Sequence, residues 1–194
     1  MRPMVHSVYD DFKDQRLEHL LSHIHKYDII CFQELFSFIN YRPSRMLKYA
    51  MNNGFKYIRK SPDPAFHSFS LIDGGLITLS RFPILGNEFY RFKDAMMSDL
   101  LCAKGMLYTK IELPNKSFIH LFNCHTQATY DTNLKCYVNC FLFTKKENVR
   151  VRLEELVELQ KFIRETLNKY WKDNEKSSIL IAGDYNVNSR IDGY

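Results

Sequence analysis

Three short apolar runs set the frame for this chain: DIICF at 28–32, GGLITL at 74–79 and ILIA at 179–182. Each is strand-sized, and each stops abruptly at polar or turn-forming residues. Runs of that length without helical periodicity read as buried strands. The last one poses a question. It ends in Gly183-Asp184-Tyr185-Asn186, and a carboxylate at the mouth of an apolar strand is costly unless something meets it there.

The rest of the pattern is mixed. Residues 16–26 read as a helix, with Leu17, Leu20, Leu21 and Ile24 at i, i+3, i+4 and i+7. Pro43-Ser44 opens a second helix through Met51, with Ser44 as N-cap and Asn52-Asn53-Gly54 as its stop. Residues 57–59 suit a strand, and 61–65 a proline-marked loop. Residues 106–113 alternate, with Leu107, Thr109, Ile111 and Leu113 on one face and Lys110 and Glu112 on the other. Pro114-Asn115-Lys116 then turns the chain back into 118–123, which predicts a β-hairpin. Residues 129–148 read as a long polar loop. The clearest helix is 151–167, with Leu153, Leu156, Val157, Ile163 and Leu167 on one stripe. Strands alternating with helices, plus a hairpin, imply an α/β (α+β) layered domain rather than a purely parallel sheet.

Composition narrows the class. With 194 residues, 45% hydrophobic and 25% charged, the chain suits one globular domain. No run reaches about 18 apolar residues, so no membrane span is expected. The first twenty residues hold Asp10, Asp11, Lys13, Asp14 and Arg16 and do not read as a signal peptide. The net charge of +5 suits an anionic partner, such as a phosphodiester or a lipid surface, or simply a solvated basic face. Cys31, Cys102 and Cys124 lie in apolar runs and read as buried thiols. Cys136 and Cys140 are placed to pair or to bind metal, but no Cys-x-x-Cys or His cluster supports zinc.

Three strand ends carry related chemistry. DIICF runs into Gln33-Glu34, FIHLF into Asn123-Cys124-His125, and ILIA into the Gly-Asp-Tyr-Asn turn. Strand ends along one rim are where sites are built. Glu34, Asp184 and Asn186 offer the hard oxygens that suit Mg²⁺. His125 adds a proton donor or a positive charge for a phosphate. In extended backbone Asp184 and Asn186 face one side, while Tyr185 packs on the other. Each residue taken alone also fits a plain role: a solvated turn glutamate, an Asx turn, a satisfied structural histidine.

Taken in order, the segments FQEL (32–35), GGLITLSRFPI (74–84), CAKGMLYTKIEL (102–113), NCHTQA (123–128), RLEELVELQKFI (152–163) and AGDYNVNS (182–189) resemble the endonuclease/exonuclease/phosphatase superfamily. Lys104-Gly105 and His125-Thr126-Gln127-Ala128 are similar to its neutral sphingomyelinase branch. The resemblance implies a DNase I-like, two-sheet β-sandwich flanked by helices, with residues 1–194 forming one such domain. It implies a Mg²⁺-dependent phosphodiesterase that hydrolyses sphingomyelin to ceramide and phosphocholine at a membrane surface. It also implies that Glu34 binds the metal. Asp184 and Asn186 would position water and phosphate, and His125 would contact the phosphoryl oxygens. Lys104 would add charge near the substrate, with Asp99 as its partner; an ordinary exposed pair is the other reading of those two.

Cys124 stands where the family often has Thr. The family's opening strand with its Asn, and its closing Asp-His pair with the general base, find no match here, so the chain reads as truncated at both ends and impaired in catalysis. The alternatives are another phosphoesterase of the superfamily, such as a nuclease or an inositol-phosphate phosphatase, or a non-catalytic remnant that binds membrane or a partner through the aromatic stretch 136–143. Nucleic acid is disfavoured, because Lys145, Lys146, Arg150 and Arg152 are scattered charges rather than a basic stripe.

Overall fold

The computed structural model describes residues 12–37, 40–63, 72–95, 99, 101–129 and 145–187. Cys136, Cys140 and the stretch 136–143 lie outside them. The described elements are α1 (Lys13–His23) with a 3₁₀ turn (Ile24–Lys26), β1 (Ile29–Phe32), α2 (Arg42–Asn52), β2 (Tyr57–Lys60), β3 (Ile77–Ser80), β4 (Ile84–Arg91), β5 (Gly105–Glu112), β6 (Phe118–His125), α3 (Lys145–Tyr170) and β7 (Ser177–Asp184). They form two sheets, ordered β1-β3-β2 and β4-β5-β6-β7. Every pairing is antiparallel except β6 with β7.

Three apolar clusters stack these elements into layers. Leu17, Leu21, Ile24, Met46 and Ala50 of the helices bury Ile77 and Leu79 on the outer face of the first sheet. Ile84, Ile111 and Leu121 meet Ile29, Cys31, Tyr57 and Ala182 between the sheets. Met106, Tyr108, Phe122 and Cys124 meet Leu159, Phe162, Ile163, Leu167 and Tyr170 beneath α3. The expected two-sheet sandwich flanked by helices is therefore present, and the two faces of β5 and β6 supply two different cores.

Local rules explain most boundaries. The β5–β6 hairpin closes through Leu113 N donating to Ser117 O at 2.8 Å, with Lys116 in the left-handed region at φ 62°. Helix α2 stops where expected, at Gly54 with φ 91°. It starts earlier than expected, because Pro43 occupies its first turn and Asn40 Oδ1, not Ser44, accepts Arg42 N–H at 3.1 Å. Helix α3 begins at Lys145, so the last four residues of the expected 129–148 loop are helical. Strand β4 was not legible: its burial follows no clean alternation, and a bulge between Ile84 and Gly86 shifts the register.

Three expectations about burial are corrected, on α3, on β7 and at two cysteines. On α3, Leu153 and Val157 are 59% and 67% exposed; the buried positions are Asn148, Val151, Arg152, Glu155, Phe162 and Thr166, with Leu159, Ile163 and Leu167 packed beside them. On β7, Ile179, Leu180 and Ile181 are about half exposed. Among the described residues only β6 pairs with β7, so an edge strand cannot bury both faces. Cys124 is fully buried as expected, whereas Cys31 and Cys102 are half-buried. No helix of the described residues is long and apolar enough to cross a membrane.

Asn123 joins the two sheets at one end. It lies fully buried on β6, donates from Nδ2 to Phe32 O at 3.1 Å and Ile77 O at 3.2 Å, and accepts Gln33 Nε2–H at 2.7 Å. Asn123→Ala would strand two carbonyls and an amide in the interior, and urea unfolding is expected to show a loss of about 2–3 kcal/mol.

Candidate functional site

The rim where Asn123 sits is also where the three polar strand ends gather. His125 is in register with Asp184 across the parallel β6–β7 pair. His125 shares the inter-sheet face of β6 with Asn123, two residues away. Glu34 follows β1 in a turn tied to the same asparagine through Gln33.

The turns that present these residues are unusual. Glu34 takes φ 56°, a left-handed conformation that costs a non-glycine residue roughly 1–2 kcal/mol. Leu35 N–H donating to Gly75 O at 3.0 Å holds the turn. The buried Asp73 braces it by accepting Gly75 N–H at 2.7 Å and Ser37 N–H at 2.9 Å. At the other strand end, a Cβ on Gly183 would come 2.0 Å from Cys124 O, so only glycine permits this approach of β7 to β6.

Asp184 and Asn186 do not face one side by continued extension. Asn186 leaves the strand at φ 50°, and its N–H donates to Asp184 Oδ1 at 2.9 Å, an Asx turn. Its side chain swings back to donate from Nδ2 to Thr126 O at 2.9 Å. Tyr185 does pack as expected, against the cluster beneath α3.

Lys104 is buried, and its Nζ donates to Thr126 O at 2.8 Å and pairs with Asp99 at 2.9 Å. Both partners are buried, so the exposed-pair reading is wrong. Thr126 O thus receives two donors, one from Lys104 and one from Asn186. Ala128 N–H donates to Asp99 Oδ2 at 3.1 Å, completing the fixing of the segment after His125.

His125 is only 1% exposed. Burial, followed by the Lys104 ammonium, pulls it down to about 4 against the fields of Glu34, Asp184 and Asp99. It is therefore a neutral imidazole at pH 7, and the positive-charge reading falls away. Its Nδ1 is buried without a hydrogen-bond partner among the described residues.

The residues that brace the rim from behind were not legible in the sequence. Asp73, Asn123, Asn148, Arg152 and Glu155 are all buried polar residues that hold the rim. Arg152 is thus not a scattered surface charge. The available signal was a set of polar residues, Asn148, Arg152 and Glu155, at helical spacing on the buried side of the helix beside Val151.

A Mg²⁺ ion takes one or two carboxylates and fills its shell with water and substrate oxygens. Glu34 and Asp184 are hard donors at one rim, both near enough to act on His125. That donor set, beside an orphaned buried ring nitrogen, fits such a water-rich ion. Among the described residues, no three His, Cys, Asp or Glu side chains converge into a site made wholly of protein.

A family model described as the Endonuclease/Exonuclease/phosphatase family matches residues 9–194. The chain belongs to this family. A sphingomyelinase of Dictyostelium discoideum is 39% identical over 180 residues, covering 86% of the chain and 38% of that protein. The solved structure of SmcL shares the fold at TM-score 0.70 and 25% identity, over 92% of the chain and 59% of its own. A mutant beta toxin from Staphylococcus aureus with bound magnesium ions matches at TM-score 0.66 and 23% identity, over 89% and 58%. The chain therefore spans about two fifths of that Dictyostelium relative and less than three fifths of these solved neighbours.

Glu155 gives this family member a pH signature. Burial raises its carboxyl from 4.5 to about 7, aided by Asp99 and Glu158 and opposed by Gln127 N–H and Lys104. Between those values the folded state holds a proton that the unfolded state has released, so stability falls as pH rises through the window. Glu155→Gln removes the titration. Its melting temperature relative to wild type should climb from pH 5 to pH 8, as read by thermal scans.

Proposed function

We propose that this chain carries the rim of a Mg²⁺-dependent phosphodiesterase that hydrolyses sphingomyelin to ceramide and phosphocholine at a membrane surface. The observation that carries the reading is the register pairing of His125 with Asp184, with Glu34 close enough to act on the same imidazole. The 39% identity to a named sphingomyelinase supports the substrate class.

In this reading Glu34 would hold the cation, with Asp184 at the same rim. A Mg²⁺ ion held there would supply Lewis acidity toward the phosphoryl group and the leaving oxygen. Asp184 and Asn186 orient the attacking water, with the Asx turn fixing their relative placement. Neutral His125 serves as a hydrogen-bond donor to the phosphoryl oxygens as charge develops, and a donor already in place costs no reorganisation at that moment. Lys104 sits one carbonyl away, contributing positive field while it holds Thr126 O.

The test is phosphocholine release from sphingomyelin vesicles by the full-length protein, with duplex DNA and inositol phosphates as competing substrates. Release is expected with Mg²⁺, not with EDTA. Glu34→Ala and Asp184→Ala should each lower it by about 10²–10³-fold. Undiminished release in either variant sinks the site. Preferential hydrolysis of DNA or inositol phosphate moves the reading to another phosphoesterase, and EDTA-insensitive vesicle binding without turnover favours a non-catalytic role.

A further inference from the structure

The inward stripe of α3 changes character along its length. Its C-terminal half packs with Leu159 and Phe162, but three of the four described residues buried in its N-terminal half are polar: Asn148, Arg152 and Glu155, each 3% exposed or less, beside Val151. An apolar residue at such a position typically contributes about 1.5–3 kcal/mol by burial, whereas a buried guanidinium costs free energy unless it is well bonded. Stability alone does not favour the polar choice.

The partners show what these residues do instead. Arg152 Nη1 donates to the carbonyl of Asn186 and, at the long limit of 3.5 Å, to that of Gln127. Its Nη2 donates to Thr129 Oγ1 at 2.9 Å. Glu155 Oε2 accepts Gln127 N–H at 2.7 Å, and Gln127 Nε2 donates to Asn148 Oδ1 at 3.3 Å. One helix face thus grips the segment after His125 and the turn after Asp184 together. Those segments leave β6 and β7, whose own ladder ends at the His125–Asp184 pair. Thr126 N–H to Asp184 O at 3.1 Å and Thr126 Oγ1 to Tyr185 O at 2.6 Å continue the connection.

We propose that Arg152 and Glu155 are positioning residues, holding the His125–Ala128 segment and the Asp184–Asn186 turn at the spacing that hydrolysis requires. The inference rests on the reading of this rim as a phosphodiesterase site. It assigns neither residue a contact with substrate. Planar guanidinium geometry suits two carbonyls from different segments, because displacement of either one breaks a bond.

Amide hydrogen exchange and kinetics test it in parallel. The amides to follow are Thr126 and Asn186, which bond to Asp184 rather than to Arg152. In Arg152→Met their exchange should quicken roughly tenfold or more while that of Tyr108 and Phe122 in the β5–β6 core stays within about twofold. In the same variant kcat on sphingomyelin should fall at least about tenfold with KM little changed, since displaced groups weaken the transition state more than binding. Glu155→Leu should reproduce both effects, and Glu155→Gln, which keeps the acceptor, should restore near wild-type values. If Arg152→Met does not fold, the Glu155 pair decides alone. Unchanged rim exchange, or equal loosening of rim and core, overturns the proposal. A wild type that releases no phosphocholine overturns the functional reading instead, and the exchange comparison still decides whether the clamp exists.

Discussion

Everything at the site depends on one buried amide. Apolar contact holds the two sheets face to face, but burial is non-directional and tolerates sliding. Asn123 supplies the direction. Its hydrogen bonds reach from β6 to carbonyls on β1 and β3 and to Gln33, so the Glu34 turn and the His125 strand end share one frame although they belong to different sheets. Without that link the carboxylate and the imidazole would be set by separate halves of the sandwich.

Helix α3 is tethered at both ends by polar groups and in the middle by apolar ones. Lys110, from the face of β5 opposite Ile111, donates to Tyr170 O at 2.9 Å at the end of the helix and pairs with Glu175 at 2.5 Å. Cations suit a helix C-terminus, where carbonyls lack partners. At the other end Arg152 and Glu155 meet backbone that belongs to no ladder, and Asn148 meets the Gln127 side-chain amide. Polar side chains are needed there because loop amides and carbonyls buried under a helix must be satisfied by something other than strand pairing. The same helix thus serves as core and as scaffold for the rim.

Strain gathers where chemistry is expected. Glu34 and Asn186 both sit in the left-handed region, and Gly183 passes where no side chain fits. Each departure lets a strand end turn sharply and present a polar group at the rim, and each is held by hydrogen bonds from a neighbouring segment. The apolar strands make such turns affordable by fixing the residues just before them.

Much of this was legible in the residues. Periodicity located α1 and the body of α3, the Pro-Asn-Lys turn located the hairpin, and polar endings on apolar runs pointed to Glu34, His125 and Asp184. Strand β4, Asp73 and the polar stripe of α3 were not, because their roles are set by what packs against them. The expected apolar face of α3 was right at Ile163 and Leu167 and wrong at Leu153 and Val157, which fit a helical stripe although the buried side of that half is largely polar.

The sequence by itself determined the elements, since hydrophobic period and turn chemistry act over a few residues, and it determined which residue types could do the chemistry. Tertiary structure decided where those residues meet, whether Lys104 was free or spent on Asp99 and Thr126, and that His125 is neutral. Those outcomes depend on burial and on segments distant in sequence, such as Thr126 for Lys104 and Asp184 for His125, and no local pattern encodes them.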